Sequence, residues 1–263
     1  MRPSAIERMH DIEAIERRVV VCRRCPELRA YCARVATEKR RAYRDEPYWG
    51  RPVPSFGDPK ARVLLVGLAP GAHGSNRTGR MFTGDASGEW LYRALYRAGF
   101  ANQPIAVDKN DGLALKDAFI TAAVRCAPPE NKPTLEELRR CAPYLDLELR
   151  ALPTLRVVVG LGAVGTRAAY DALVRSGFVF TSRPAFAHLA EADASDSQNG
   201  HNVTLLCSYH PSRQNTNTGK LTEPMLDAVF TRARTLLAEQ GVSAGERRLV
   251  PPRRRTNQPG GRT

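Results

Sequence analysis

Residues 62–88 read RVLLVGLAPGAHGSNRTGRMFTGDASG, and this stretch decides the fold. Arg62 to Gly67 is a short apolar run closing on glycine, the pattern of a buried strand. It opens into a long glycine-rich loop and then a helix expected from about Ser87 to Ala98. Glycines leave the backbone N–H groups free and let the chain approach a ligand closely. The GxxxxGK[ST] order is missing, so this is not a phosphate-binding P-loop.

The same strand-then-helix grammar repeats outward. Further strands are expected at Ala118–Val124, Leu155–Gly160 and Val203–Ser208. Helices are expected at about Thr134–Arg150, Ala163–Ser176 and Thr222–Glu239, and Thr134 with Glu137 matches a capping box. Residues 5–42 read as helical with an interruption at Cys22-Arg-Arg-Cys25-Pro26, followed by a Pro- and aromatic-rich loop. The polar segment EADASDSQNGHN (191–202) reads as a surface insertion. Alternating β and α elements predict an α/β fold, a three-layer α-β-α arrangement around a central, mainly parallel four-stranded sheet. A ligand then belongs at the carboxyl ends of the strands. Residues 1–244 are expected to form one domain, and 245–263 a disordered basic tail.

No stretch approaches the roughly 20 consecutive apolar residues of a membrane helix. The N-terminus mixes acids and bases without an apolar core, so no secretion signal is expected, and a cytoplasmic, nucleoid-associated protein is the default. The net charge is +13. The tail from Gly245 holds six Arg against one Glu, which leaves an excess of +8 in the body. A basic body suits a polyanion, because each Lys or Arg at a phosphate releases counterions; an Arg-rich background composition is the bland alternative.

Gly160-Leu-Gly162-Ala-Val-Gly165 follows a strand and opens a helix, as a dinucleotide-binding fingerprint would. The acidic ribose partner expected about 20 residues on is absent, with Ala185 in its place. These glycines therefore read as a tight, closely packed strand-to-helix turn. Six cysteines, Cys22, Cys25, Cys32, Cys126, Cys141 and Cys207, suggest metal ligation rather than disulfides in such a chain. Cys22-x2-Cys25 has metal-ligand spacing, and Cys126-x14-Cys141 straddles a loop and a helix start. The spacing suits zinc or an iron–sulfur cluster equally.

Three strand-end loops carry the chemistry: GLAPGAHGSNRTGRMFTGDASG after the first strand, RCAPPENKPT after the second and SYHPSRQNT after the fourth. Together with CRRCPELRA and RAYRDEPYWGRPVPSFGDP they resemble the uracil-DNA glycosylase superfamily, specifically its family 5 (type B), over about residues 22–238. Met81 is one departure, since the family pattern carries Pro there, beside the base-stacking position. The resemblance implies a DNA repair glycosylase that flips uracil, and other deaminated bases such as hypoxanthine, into a pocket and leaves an abasic site. It implies that His210 stabilises the departing base at O2, Asn131 reads its Watson–Crick edge, and Asp85 positions water or stabilises the sugar cation. Asp85 also stands where a helix N-cap would. Gly67, Ala69, Gly71 and Phe82 would line the base site, with Phe82 stacking. Ala69 occupies the place where sister families carry a polar residue. Arg213, Gln214, Asn215 and Lys220 would contact DNA. Cys22, Cys25, Cys126 and Cys141 would hold a [4Fe-4S] cluster in preference to zinc, leaving Cys32 and Cys207 as buried thiols. A monomer acting on uracil-containing DNA, away from membranes, is expected. The competing readings are a non-catalytic iron–sulfur nucleic-acid-binding protein and a nicotinamide-dependent oxidoreductase built on Gly160–Gly165.

Overall fold

The computed structural model describes residues 5–182 and 185–246. In chain order the helices are α1 (Ala5–Val20), α2 (Pro26–Glu38), α3 (Ser75–Thr78), α4 (Ala86–Arg97), α5 (Leu135–Ala151), α6 (Gly162–Arg175), α7 (Arg213–Asn217) and α8 (Glu223–Glu246). The strands are β1 (Phe56–Gly57), β2 (Val63–Gly67), β3 (Ala118–Ala122), β4 (Val157–Leu161), β5 (Phe178–Phe180), β6 (Glu191–Asp196) and β7 (Asn202–Ser208).

The sheet runs β1-β3-β2-β4-β7-β6-β5. Its centre, β3-β2-β4-β7, is parallel, in register Ala118↔Val63↔Val157↔Thr204. The four strands expected from the apolar runs are therefore the parallel core. Side-chain alternation splits them between two layers. Val63, Leu65, Val157, Val159 and Leu206 pack with Leu91, Leu95, Val229 and Phe230 of α4 and α8. Leu64, Val66, Phe119, Val158 and Leu205 pack with Ile15, Leu145 and Leu173 of α1, α5 and α6. No helix among the described residues is long and apolar enough to cross a membrane.

Three strands lie outside the expected four. The polar segment at 191–202 is not all surface loop: Glu191–Asp196 forms β6, antiparallel to both β5 and β7. Only Ala192 and Ala194 of β6 are buried, and two alanines among acids give a faint period-two signal. β1 is two residues inside the Pro-rich loop, where a Cβ on Gly57 would lie 2.4 Å from the Ala118 carbonyl oxygen. Close backbone approach, rather than apolar patterning, makes that edge. The last helix extends to Glu246 instead of about Glu239, so Gly245 and Glu246 of the expected tail belong to it. The remainder, 247–263, lies outside the described residues.

The glycine run at the end of β4 is a packing device. A Cβ on Gly165 would sit 2.3 Å from the Val66 carbonyl oxygen, and one on Gly160 would overlap Thr166. α6 thus lies directly on β2. Gly165→Ala meets backbone that cannot rotate away, a loss at the upper end of the ~1–3 kcal/mol for overpacking. That outweighs the ~1 kcal/mol a helix gains from Gly→Ala. The expected result is a fall in the thermal unfolding midpoint of about 2–4 °C per kcal/mol lost, read by circular dichroism; an unchanged midpoint would contradict the packing.

Candidate active site

The chain leaves β2 at Gly67, where a Cβ would lie 2.8 Å from the Phe82 ring. Phe82 itself holds φ at 51°, a left-handed conformation costly for an aromatic residue. Its backbone is held from behind, since a Cβ on Gly88 would overlap the Phe82 carbonyl oxygen at 1.7 Å. α4 therefore starts hard against Phe82, and the ring covers Gly67. Met81 points the other way, fully buried in the core under α4, where its carbonyl accepts from the Tyr92 hydroxyl at 2.7 Å. The Met81 side chain thus packs in the interior.

Asp85 is both the N-cap of α4 and a member of the loop's concave face. Its Oδ1 accepts from the Gly88 N–H at 3.1 Å. A Cβ would fall 1.9 Å from its Oδ2 on Gly74 and 2.9 Å on Gly71. Two glycines therefore cradle one carboxylate, which a Cβ at Gly74 would displace. Burial pushes the Asp85 carboxyl above the ordinary carboxylate range; N–H groups at Gly88 and Ser87 and the charge of Arg213 oppose that shift.

His210 follows β7. Its ring lies 5.9 Å from the Phe82 ring, centroid to centroid, tilted by 31°. Its carbonyl accepts from the Ser212 N–H at 2.8 Å and from Asn215 Nδ2 at 2.9 Å. Burial lowers the imidazole pKa to about 4, so His210 is neutral at pH 7. Gly162, at φ 79° where β4 ends, leaves room for it: a Cβ there would stand 3.0 Å from His210 Cβ. The packing reading of Gly160–Gly165 missed this contribution, and only the neighbouring strand β7 reveals it.

The structure thus brings Gly67, Gly71, Phe82, Asp85 and His210 together at the carboxyl ends of β2 and β7, bridged by Gly162 from β4. No hydrogen bond among the described residues joins Asn131 to them. Asn131 ends a single 3-10 turn, Pro129–Asn131, in the loop after β3, at φ 57° and exposed. Its side-chain amide makes no hydrogen bond among the described residues. Arg213 and Gln214 are exposed on α7, Asn215 spends a donor on the His210 loop, and Lys220 Nζ stands 5.1 Å from the Tyr209 ring.

Ala69 faces a third cluster. With Ala72 it packs against Cys25, Leu28, Cys32, Val124 and Cys126. Cys22, Cys25, Cys126 and Cys141 line one cavity, together with Arg24, Arg29, Arg125 and Arg140. All six cysteines are free thiols. Cys32 and Cys207 are fully buried; Cys32 Sγ lies 3.7 Å from the Ala127 carbonyl oxygen. Burial pushes the Cys141 thiol up to about 11, and contact with Cys32 and burial raise that of Cys126. Among the described residues, Arg125 Nε and Nη1 and Arg29 Nη1 are buried donors without a partner. Arg24 and Arg140 each donate to the other's carbonyl oxygen, which fastens the Cys22–Cys25 turn to α5. Among the described residues no three His, Cys, Asp or Glu side chains converge closely enough for a single metal ion.

The family model for the uracil DNA glycosylase superfamily matches residues 54–234. A type-5 uracil-DNA glycosylase of Thermus thermophilus is 50% identical over 226 residues, 86% of this chain and 98% of the relative. A type-5 enzyme of Mycobacterium bovis is 48% identical over 83% of this chain and 79% of its own. One from Pyrobaculum aerophilum is 45% identical over 82% and 89%.

Proposed function

Because the chain belongs to the uracil DNA glycosylase superfamily, we propose that the strand-end site is where it hydrolyses the N-glycosidic bond of uracil in DNA and leaves an abasic site. The observation that carries the assignment of the site is the glycine-cradled Asp85 carboxylate beside the Phe82–His210 pair.

A base stacked in duplex DNA cannot reach such a recess, so the nucleotide has to be extruded first. Bond cleavage leaves positive charge on the sugar and negative charge on the uracil. Fixed dipoles aimed at those charges cost no reorganisation during the reaction. A neutral His210 donates an N–H to the departing base at O2 without first losing a proton, and the backbone N–H groups of Gly67–Gly71 add to it. Asp85 supplies the anion for the sugar side or orients the attacking water. Phe82 stacks on the base, a contact of about 1–3 kcal/mol. Asn131 is assigned to the Watson–Crick edge on the support of its unengaged side-chain amide in the loop after β3.

The four cysteines fit an iron–sulfur cluster better than zinc. A single zinc ion needs four thiolates about 2.3 Å from one point, and no such convergence is found among the described residues. The orphaned guanidinium donors suit an anionic occupant. Cys22, Cys25, Cys126 and Cys141 would then hold a [4Fe-4S] centre whose contribution is cohesion: it would join α1, α2 and α5 to the loop that Ala69 and Ala72 support. Cys141→Ser is expected to yield colourless protein with a thermal midpoint several degrees lower, at about 2–4 °C per kcal/mol. Colourless wild type with stoichiometric zinc would overturn the assignment.

The function is tested on a duplex bearing one uracil, followed by alkaline cleavage. Base release with an alkali-labile site is expected; tight binding without release would favour a non-catalytic cluster protein. A parallel hypoxanthine duplex tests the wider substrate range.

A further inference from the structure

The segment between α2 and β1 is fastened to the loop that cradles Asp85. Trp49 N–H donates to the Arg77 carbonyl oxygen at 2.8 Å and Gly50 N–H to that of Asn76 at 3.0 Å. Arg77 is 8% exposed and acts as the rivet. Its Nε donates to the His73 carbonyl oxygen at 2.9 Å and its Nη2 to that of Gly84 at 2.8 Å. Its Nη1 pairs with Glu46, and its guanidinium lies 4.0 Å from the Tyr43 ring centroid. One buried side chain therefore ties Tyr43 and Glu46 to both flanks of the Asp85 cradle. A second tie joins the Tyr48 hydroxyl to His73 Nδ1 at 3.0 Å, and the Arg40 N–H reaches the same hydroxyl at 3.4 Å.

The outer side of this rigid segment carries charge that the fold does not use. Arg40, Arg41 and Arg44 are exposed, and no carboxylate among the described residues pairs with any of them. Nearby acids offer little compensation: Glu46 is held by Arg77, Glu38 faces Arg34, and only Asp45 remains. Arg51 and Lys109 extend the strip to Trp49, 4.6 and 5.1 Å from its ring. Mutual repulsion costs the free protein something and returns nothing to its packing. A strand of phosphates removes that repulsion and releases counterions.

We propose that Arg40, Arg41 and Arg44 form a grip on the phosphate backbone that sets the register of DNA over the Asp85–His210 recess. This rests on the glycosylase reading and deepens it. Arg77 makes the grip and the cradle one body, so a strand held by the arginines presents its nucleotide at a fixed distance from Asp85.

The test compares the triple variant Arg40→Gln, Arg41→Gln, Arg44→Gln with a control of equal charge loss at the opposite, amino-terminal edge of the sheet. That control is Lys60→Gln, Lys116→Gln, Arg150→Gln, all exposed residues. Binding of an undamaged duplex is measured across a salt series. The slope of log K against log salt is expected to fall by about 2–3 in the grip variant, at roughly 0.9 per phosphate. The control should lose less than one unit, and both proteins should keep the wild-type thermal midpoint. An unchanged slope in the grip variant, or an equal fall in both, overturns the proposal. A wild type that binds with the expected slope yet releases no uracil would instead refute the glycosylase reading and leave the grip standing.

Discussion

Asp85→Asn should leave a folded protein with uracil excision reduced by about 10²–10⁴, the range for losing a positioned acid–base or charge-stabilising group. The asparagine variant isolates chemistry from structure, because Asn caps a helix as well as Asp does. The Gly88 N–H therefore keeps its acceptor. Asp85→Ala should lose the same activity and also about 0.5–2 kcal/mol of stability with the cap. The pH dependence follows from the direction of the shift. Burial raises the folded-state pKa of Asp85, so its ionised form costs stability at neutral pH. That cost is absent below the unfolded value of about 3.9 and grows as pH rises through it. Asp85→Asn should therefore be at least as stable as wild type at pH 7, with the difference vanishing near pH 3. Excision should fall on acidification at a pH above the ordinary carboxylate range, and the residual activity of Asp85→Asn should lack that limb. Wild-type rates in either variant would remove Asp85 from the mechanism.

His210→Ala is expected to cost about 10²–10³ in excision, the usual effect of deleting one donor to a developing anion. His210→Gln, which keeps an N–H donor, should recover part of it. With its pKa lowered to about 4, the imidazole is neutral from pH 5 to 8. The wild-type rate should therefore show no titration near 6.5, and His210→Ala should keep the acid limb belonging to Asp85. A wild-type limb near 6.5 that disappears in His210→Ala would mean that the cation does the work. Phe82 loses a neighbour in this variant, so a raised KM should accompany the lower rate; Phe82→Ala with intact His210 separates the two effects.

Much of the architecture is written in runs of adjacent residues. The apolar runs ending at Gly67 and Ser208 and the capping box at Thr134 are local statements, and each appears where the pattern places it. The three loops that resemble the glycosylase motifs are local too, which is why the superfamily was legible before any coordinate. Elements with weak local signals were not. β6 depends on Ala192 and Ala194 finding the free edge of β7, and β1 on Gly57 lying against Ala118.

The sequence by itself determined the parallel core, the family, and Asp85, Phe82 and His210 as candidates, because residue order and side-chain chemistry suffice for those. Only the tertiary structure decided that Gly74 and Gly162 shape the recess and that Arg77 rivets the basic segment to it. The reason is range. Patterning and capping act over a few residues along the chain, whereas a carboxylate seated against two glycines, or a guanidinium joining carbonyls from separate turns, exists only once distant segments have packed.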